Sequence, residues 1–348
     1  MTHSFRWGII APGRIAHRFA QALEAVEGAK LQAVASRDAE RARTFAMQYG
    51  APAAYDSAEA LALDPEVDAV YIASPHRFHH EQSRLFLLSG KPVLVEKPFT
   101  VNAPEAADLI DVAQAKGLFL MEALWSRYLP VWLQVREWLE QGAIGDVHLI
   151  TSMFCFHPER DPADRKFNHD LAGGALLDLG VYNVSLSEWV SREPASEVFA
   201  VGQIGDTGVD ELTSVTLRYP SGAVAQFTCG FQFEGINEFT AYGTDGAIRV
   251  QPKFWESTRV TLFSEGRETT ANFPFRRNGF EYQIEEAMAC VRDGRREREV
   301  TPLRSTLSTM KTIDRIREQI GLAYTFERTG PLASAGPLHD RRRSPPAG

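Results

Sequence analysis

A lysine that follows an apolar run is the residue of this chain best placed to do chemistry. Residues 93–95 (VLV) have the pattern of a buried strand and lead directly into Glu96, Lys97 and Pro98. The carboxyl ends of strands in an α/β sheet are where such sheets bind ligands, and proline restricts the residue before it to extended geometry. Lys97 is therefore our first candidate for a catalytic residue. The alternative is a solvated lysine at the end of a strand.

A second group of chemical side chains lies on a predicted helix, residues 174–190. Asp178 and Tyr182 are four residues apart and would share one face of it. Gly180 weakens the helix between them, which indicates that a large group approaches closely there. An acid and a phenol on one face could form half of an active site; an acidic first turn and a core tyrosine are the alternative.

The first predicted strand ends in a turn with the spacing of a dinucleotide-binding fingerprint. The sequence APGRIA fits G-x-G-x-x-G/A at the second and third small positions, with Ala11 in place of the first glycine. Gly13 would let the backbone approach a pyrophosphate, and Arg14 and Ile15 open the helix that follows. The context, a strand before and a helix after, favours a cofactor site over a generic turn.

The residues after the second predicted strand bear on which dinucleotide binds. A carboxylate there would hold the ribose of NAD, whereas this chain has Ser36 and Arg37, with Asp38 one step later. A guanidinium can pair with a 2′-phosphate, so we predict NADP as cofactor. NAD remains possible if Arg37 is a surface residue and Asp38 reaches the ribose.

A turn rich in histidine follows another predicted strand. Ser74, Pro75 and His76 would line the nicotinamide side of the cleft. His79 begins the next helix, which points its side chain back toward the sheet, so we predict that His79 contacts a ligand. A capping or surface histidine is the alternative for His79, and the one we favour for His80.

Other residues are candidates for the substrate pocket. Trp125 could stack on a sugar or diol ring, or it could pack between domains. The loop of residues 157–169 carries histidines, aspartates and arginines, but their irregular spacing does not predict a metal site. We predict that Arg165 and Phe167 shape the pocket and that no metal is bound.

The pattern of elements divides the chain into two folded parts. Residues 1–122 alternate short apolar strands (5–10, 31–36, 69–73, 92–95, 118–121) with amphipathic helices (15–26, 40–48, 79–88, 104–115), which predicts a doubly wound parallel Rossmann sheet. Residues 123–328 predict an α+β domain with a large, mainly antiparallel sheet (147–156, 198–204, 212–219, 223–231, 239–243, 259–263) and helices at 127–140, 174–190, 280–290 and 305–320. Residues 329–348, rich in proline, glycine and arginine, predict a disordered tail.

Composition favours a small molecule as the partner. The chain has 348 residues, 44% of them hydrophobic, and a formal net charge of -8, which argues against nucleic acid and anionic membranes. No apolar run is long enough to span a bilayer, and the N-terminus lacks the pattern of a secretion signal. Three widely separated cysteines indicate a reducing compartment, so we predict a cytoplasmic protein.

In their order along the chain these motifs resemble the Gfo/Idh/MocA oxidoreductase family. The similarity extends to about residue 325 and includes Gly13, the Ser-Pro turn before His79, the Glu96-Lys97-Pro98 motif, Gly173-Gly174 before Asp178-x-Gly180-x-Tyr182, and the turn at 243–246. The family often has histidine where this chain has Tyr182. With residues 121–128 (MEALWSRY), the tyrosine is more similar to the branch that contains dimeric dihydrodiol dehydrogenase, NADP-dependent D-xylose dehydrogenase and glucose-fructose oxidoreductase.

The resemblance to that branch implies roles for individual residues. It places Arg37 on the 2′-phosphate of NADP, Glu96 in the cofactor site, and His79 and Trp125 around the substrate together with Lys97 and Tyr182. Ala11, where a glycine is usual, and His76, where asparagine is common, depart from the family's pattern. The first departure could tighten or displace the phosphate loop, and the second leaves the contact with nicotinamide open.

The implied reaction is hydride transfer between NADP and a C–OH group of a sugar or a trans-dihydrodiol. Tyrosine and lysine both titrate at about 10, so one must depress the other or be desolvated to serve as base. We predict a coupled pair in which the charge of Lys97 stabilises a phenolate at Tyr182, with Asp178 orienting substrate or lysine. Neutral Lys97 as the base is the alternative.

Other activities remain open at this stage. A dehydrogenase of the same family could act on an inositol, another cyclic polyol, an amino sugar or a biliverdin-like compound. An NADP-binding regulator without turnover and an enzyme with permanently bound cofactor are further alternatives. The resemblance also implies a homodimer or higher homo-oligomer.

Overall fold

The first half of the chain forms an open parallel sheet with helices on both faces. The computed structural model of the protein describes residues 4–298 and 300–328. The elements of the first half are β1 (Phe5–Ile10), α1 (Arg14–Leu23), β2 (Ala29–Ala35), α2 (Ala39–Tyr49), β3 (Ala53–Tyr55), α3 (Ala58–Ala62), β4 (Ala69–Ile72), α4 (His79–Leu88), β5 (Val93–Glu96), α5 (Ala103–Lys116) and β6 (Leu120–Ala123). Across the sheet the strands lie in the order β3-β2-β1-β4-β5-β6, which is the doubly wound Rossmann arrangement.

Burial explains why these strands read as continuous apolar runs. Every residue of β4, β5 and β6 is buried, because helices cover both faces of a parallel sheet. The helices α2 and α5 end at Gly50 and Gly117, both with a φ of 67°, a left-handed conformation that glycine adopts at low cost.

The second half is built on one sheet of eight strands with helices against one face. Its elements are α6 (Pro130–Glu140), β7 (Val147–Cys155), α7 (Val181–Ser191), β8 (Glu197–Ile204), β9 (Asp210–Arg218), β10 (Val224–Gly230), β11 (Phe239–Gly243), β12 (Gly246–Val250), β13 (Arg259–Ser264), β14 (Arg267–Asn272), α8 (Glu281–Arg292) and α9 (Leu303–Ile320). The strand order is β14-β13-β12-β11-β7-β10-β9-β8. All neighbours are antiparallel except β7 and β10, which run parallel.

The predicted fold class is confirmed, and four short elements were missed. The predictions omitted β3, α3, β12 and β14, whose sequences are too short or too polar to stand out. β14, for example, is exposed over most of its length and reads RETTAN. It is a strand only because β13 pairs with it along six residues.

Two predictions about the organisation of the chain are not tested by the structure. The tail predicted at residues 329–348 lies outside the described residues, and the domain boundary at residue 122 stays a prediction. Within residues 4–298 and 300–328, no helix is both long and apolar enough to cross a membrane.

Candidate active site

A cavity of about 720 Å³ opens at the carboxyl ends of β1, β4 and β5. It lies where the strand order reverses between β1 and β4, the position at which doubly wound sheets bind ligands. Fifteen of the predicted site residues line it: Ala11, Gly13, Arg14, Ile15, Ser36, Arg37, Ser74, Pro75, His76, Glu96, Lys97, Trp125, Arg165, Asp178 and Tyr182. Two predicted substrate residues, His79 and Phe167, do not.

The turn after β1 has Ala11 in a backbone conformation that favours glycine. Ala11 has a φ of 62°, a left-handed conformation that costs a non-glycine residue about 1–2 kcal/mol. The Ala11 N–H donates to the carbonyl of Ala35 at 2.9 Å, and the Gly13 N–H donates to the carbonyl of Ala11 at 2.7 Å. Ala11 therefore strains the loop, which these two backbone hydrogen bonds hold in place.

The first turn of α1 is open toward the cavity. No side chain caps it and no acidic residue lies in it, so its backbone N–H groups are available to an anion. A Cβ on Gly13 would approach nothing closer than 3.8 Å, which leaves room for a phosphate beside the backbone. These features fit the pyrophosphate of a dinucleotide.

Cationic side chains surround the end of β2. Arg37 and Arg41 line the cavity beside Ser36, and the Arg41 Nε donates to the carbonyl of Pro12 at 3.2 Å. Asp38 is engaged elsewhere, because its carboxylate caps α2 by accepting the N–H groups of Glu40 and Arg41. This arrangement fits a 2′-phosphate better than a free ribose hydroxyl.

An ion-pair cluster joins the two halves of the chain inside the cavity. The Lys97 Nζ donates to the carboxylate of Asp178 at 2.8 Å and to its backbone carbonyl at 2.6 Å. Arg165 donates hydrogen bonds to both oxygens of the same carboxylate, at 3.1 and 3.3 Å. Burial alone would raise the pKa of Asp178, but Arg165 and Lys97 outweigh it and hold that pKa well below its ordinary value.

Tyr182 lies beside this cluster without a hydrogen bond to the lysine. The Lys97 Nζ is 5.1 Å from the centroid of the phenol ring, and the hydroxyl instead accepts a hydrogen bond from the Trp125 indole at 3.0 Å. Burial, with the charges of Glu96 and Asp178, raises the pKa of Tyr182 well above its ordinary value. The hydrogen-bond partner of Lys97 in this site is thus Asp178 and not Tyr182.

Glu96 is a buried carboxyl next to the catalytic candidates. It accepts a hydrogen bond from the Tyr71 hydroxyl, and burial raises its pKa to about 7. Glu96 is therefore a weaker acid than an ordinary glutamate, with Lys97 as its neighbour in the chain.

His76 and His79, which follow β4, differ in whether their side chains reach the cavity. The His76 ring lies 2.9 Å (Nδ1) from the carbonyl of Ala172 and 3.5 Å (Nε2) from the Arg165 guanidinium. Burial first, and the charge of Arg165 second, lower the pKa of His76 well below its ordinary value. His76 is thus a neutral residue of the cavity wall, in contact with the loop that carries Arg165.

The structure places His79 behind the cavity, contrary to the expected ligand contact. It is fully buried, and its ring nitrogens lie 2.7 Å from the Pro98 carbonyl and 2.9 Å from the Ser74 carbonyl. His79 therefore braces the turns after β4 and β5. In contrast, the hydroxyl of Ser74, which lines the cavity, has no hydrogen-bond partner among residues 4–298 and 300–328, so it is available to a ligand.

Phe167 also lies away from the cavity. It is 2% exposed and packs against Phe231 with ring centroids 5.4 Å apart. Aromatic walls that the sequence did not reveal take its place: Phe154, Phe156, Trp255 and Phe280. These residues come from separate elements, and no local pattern distinguishes them from core aromatics.

The helix that carries Asp178 and Tyr182 is less regular than expected. Asp178 lies in a π-helical turn, Leu176–Gly180, and Tyr182 lies in α7, which follows it. A Cβ on Gly180 would come within 2.8 Å of the Leu176 side chain and 3.0 Å of the Cys229 sulfur on β10, so the groups that approach Gly180 are packed side chains of the protein. Despite the π turn, Asp178 and Tyr182 both face the cavity.

No metal site accompanies this cluster within the described ranges 4–298 and 300–328. Nowhere in them do three or more His, Cys, Asp or Glu side chains form a group that could hold a metal ion. The loop of residues 157–169 instead contributes Arg165 to the ion-pair cluster.

Comparison with known proteins agrees with this geometry. Residues 5–124 match the oxidoreductase family with an NAD-binding Rossmann fold, and residues 132–249 match the GFO/IDH/MocA C-terminal domain. The chain is 37% identical to trans-1,2-dihydrobenzene-1,2-diol dehydrogenase of Mus musculus over 334 residues, which cover 93% of this chain and 99% of the relative. It is 33% identical to the Homo sapiens enzyme of the same name over 335 residues, with the same coverage.

Solved structures show the same fold. A 3-ketoreductase from Actinomadura kijaniata, in complex with NADP and TDP-benzene, is 28% identical and has a TM-score of 0.83 over 91% of this chain and 98% of that one. An aldose-aldose oxidoreductase from Caulobacter crescentus, 24% identical, has a TM-score of 0.84 over 91% and 97% of the two chains. The chain therefore belongs to the Gfo/Idh/MocA family of oxidoreductases, with an NAD-binding Rossmann domain, as its motifs predicted.

Proposed function

We propose that this protein is an NADP-dependent dehydrogenase that oxidises a C–OH group of a trans-dihydrodiol or an aldose. One observation carries the proposal: Lys97, Asp178 and Tyr182 meet in the wall of the same cavity that contains the dinucleotide-binding turn. The relatives named for a dihydrodiol and the structural neighbour bound to NADP support it.

The chain's own residues divide the work of binding the cofactor. NADP, when bound, supplies the hydride acceptor. The open first turn of α1 would hold its pyrophosphate, and Arg37 and Arg41 its 2′-phosphate. The unpartnered Ser74 hydroxyl and the wall at His76 would border its reactive end.

Tyr182 is the proposed proton acceptor. Lys97 donates to Asp178 as an ammonium and in that state has no lone pair to accept a proton. Tyr182 can accept a proton only as a phenolate; the Trp125 N–H already donates to its oxygen, and the positive charge of the oxidised nicotinamide would lower the raised pKa of Tyr182 when the cofactor is bound. Lys97, held by Asp178, would supply positive charge beside the reacting oxygen.

The aromatic walls favour a ring as substrate. Phe154 and Trp255 stack on each other with centroids 3.6 Å apart, and Trp125 packs against Phe280 at 4.9 Å. Flat apolar faces bind the face of a ring, while Arg165 and Lys97 can reach its hydroxyl groups. Both a dihydrodiol and a cyclic aldose meet these requirements.

A substrate panel tests the proposed function. Trans-dihydrodiols, aldoses and inositols would be offered with NADP, and NADPH formation followed by absorbance. We expect turnover with a dihydrodiol or an aldose in preference to inositols. Tight NADP binding without turnover on any of them would instead indicate a regulator, and reduced-nicotinamide absorbance in the purified protein would indicate a permanently bound cofactor.

Replacing Arg37 by alanine tests the choice of cofactor. A lost hydrogen bond to a charged phosphate is worth about 1.5–3 kcal/mol, so we expect the Kd for NADP to rise by about 10–100-fold. The Kd for NAD should not change. Arg43→Ala is the matched control, because Arg43 pairs with Glu40 on the same helix outside the cavity. An unchanged NADP to NAD ratio in Arg37→Ala would reject the assignment.

The open face of the eight-stranded sheet is the proposed surface for a homodimer. Phe199 and Val201 on β8 are 53% and 77% exposed, and their neighbours on β9 and β10 include Thr216 and Thr228. Val201→Glu should convert the dimer to a monomer in light scattering.

The cytoplasm is the proposed location, in keeping with three cysteines that are all unpaired.

A further inference from the structure

Arg18, which no sequence motif indicated, lies against the aromatic wall of the cavity. Its guanidinium carbon is 4.3 Å from the centroid of the Trp125 ring and 5.0 Å from that of Phe280. Two further contacts hold it there: Nη1 lies 3.1 Å from the Glu256 carboxylate, and Nη2 donates to the Asn278 carbonyl at 2.7 Å. The cation is thus fixed on the face of one indole.

That indole is the group that donates to the proposed catalytic phenol. Trp125 is 3% exposed, and its Nε1 donates to the Tyr182 oxygen at 3.0 Å. A cation over an aromatic face attracts the ring's electrons, and in a buried chain of contacts each polar group polarises the next. The indole N–H beneath Arg18 is therefore a stronger donor than an isolated one.

We propose that Arg18 is a positioning residue for proton transfer at Tyr182, acting through the indole of Trp125. The inference rests on the proposed role of Tyr182 as proton acceptor. A stronger donor at the phenol oxygen stabilises the phenolate more than the phenol, so Arg18 assists removal of the substrate's proton. The negative charge of Glu256, which pairs with Arg18, reduces the effect of the Arg18 charge on the indole.

The charges around Tyr182 oppose one another. The groups that face it from the surrounding elements are Arg18 on α1, Tyr71 on β4, Glu96 and Lys97 at the end of β5, Trp125 after β6, and Asp178 in the π turn. Besides burial, Glu96 and Asp178 raise the pKa of Tyr182, while the Trp125 hydrogen bond and the charge of Arg18 lower it. Arg18 thus counteracts the carboxylates while Asp178 holds Lys97.

Two substitutions with opposite effects test this inference. Arg18→Gln removes the cation, so the pH at which kcat/KM for oxidation rises should move up by about half a pH unit or more, a loss of about threefold at a fixed pH below that rise. Glu256→Gln removes the opposing carboxylate and should move the rise to lower pH. The change of direction distinguishes an electrostatic effect from structural damage.

Controls separate this inference from the proposed function. Arg277→Gln is the matched control, because Arg277 also ties α1 to the segment before α8, through Glu24, but lies outside the cavity. In a Trp125→Phe background, Arg18→Gln should shift the profile by less than half as much. Unchanged profiles in Arg18→Gln and Glu256→Gln, or shifts in the same direction, would overturn the inference if Tyr182→Phe is inactive. Full activity of Tyr182→Phe would reject Tyr182 as the proton acceptor, and with it this inference, while the proposed dehydrogenase activity would stand; no turnover by the parent protein on any substrate of the panel would reject the proposed function.

Discussion

Lys97→Met is expected to lower kcat by about 10²–10⁴-fold, the range that positioned proton-transfer groups contribute. The variant removes the ammonium that lies beside Tyr182 and pairs with Asp178. The phosphate-binding turn and Arg37 are untouched, so the Kd for NADPH should stay within about threefold of the parent value. Stopped-flow single-turnover rates and NADPH fluorescence titration measure the two quantities separately.

Lys91→Met is the matched control for this variant. Lys91 lies just before β5, at the opposite end from Lys97, and its Nζ also donates to two carbonyls, those of Asp64 and Val67. It does not line the cavity, so kcat should be unchanged even if stability falls. Parent-like kcat in Lys97→Met would contradict the proposed mechanism, whereas equal losses of kcat and NADPH binding would indicate that the site has collapsed.

The fold was predictable where burial leaves a local pattern. Strand β1 was predicted with its observed bounds, because five of its six residues are buried and the strand ends at the turn of Ala11. The π turn at Leu176–Gly180 could not be predicted, since residue spacing alone cannot reveal one. What determines it includes tertiary contacts: Asp210 accepts the N–H of Leu176 at 2.8 Å, across 34 residues of chain.

The site was predictable to the extent that its residues belong to motifs. Lys97, Asp178 and the turn at Gly13 follow recognisable patterns, and the structure places all three in one cavity. Arg18 and Trp255 belong to none, because each contributes through packing across the fold. The sequence predicted a ligand contact for His79, but the His79 ring contacts two backbone carbonyls and does not line the cavity.

The ion-pair cluster makes the catalytic site depend on both halves of the chain. Lys97 directly follows β5 of the Rossmann sheet, whereas Asp178 and Arg165 belong to the second half. The buried carboxylate of Asp178 therefore compensates the charges of two cations. Removing it should lower the stability of the protein more than removing either cation. Breaking a buried ion pair on one side leaves an uncompensated charge, which costs about 3–5 kcal/mol when burial is complete.

Asp178→Asn should accordingly lower the free energy of unfolding by about 3 kcal/mol at pH 7, because Lys97 and Arg165 are only partly shielded from water. Folding lowers the pKa of Asp178, so its stabilisation is fully present above its unfolded pKa, about 3.8, and is lost as pH falls through its lower native pKa. Urea unfolding from pH 7 to pH 3 should therefore show a constant gap between the free energies of unfolding of the parent and of Asp178→Asn. This gap should narrow only below about pH 4. Asp170→Asn, at an exposed position of the neighbouring loop, should show no gap. A gap that persists unchanged at pH 3 and below would mean that the loss comes from packing and not from the charge of Asp178.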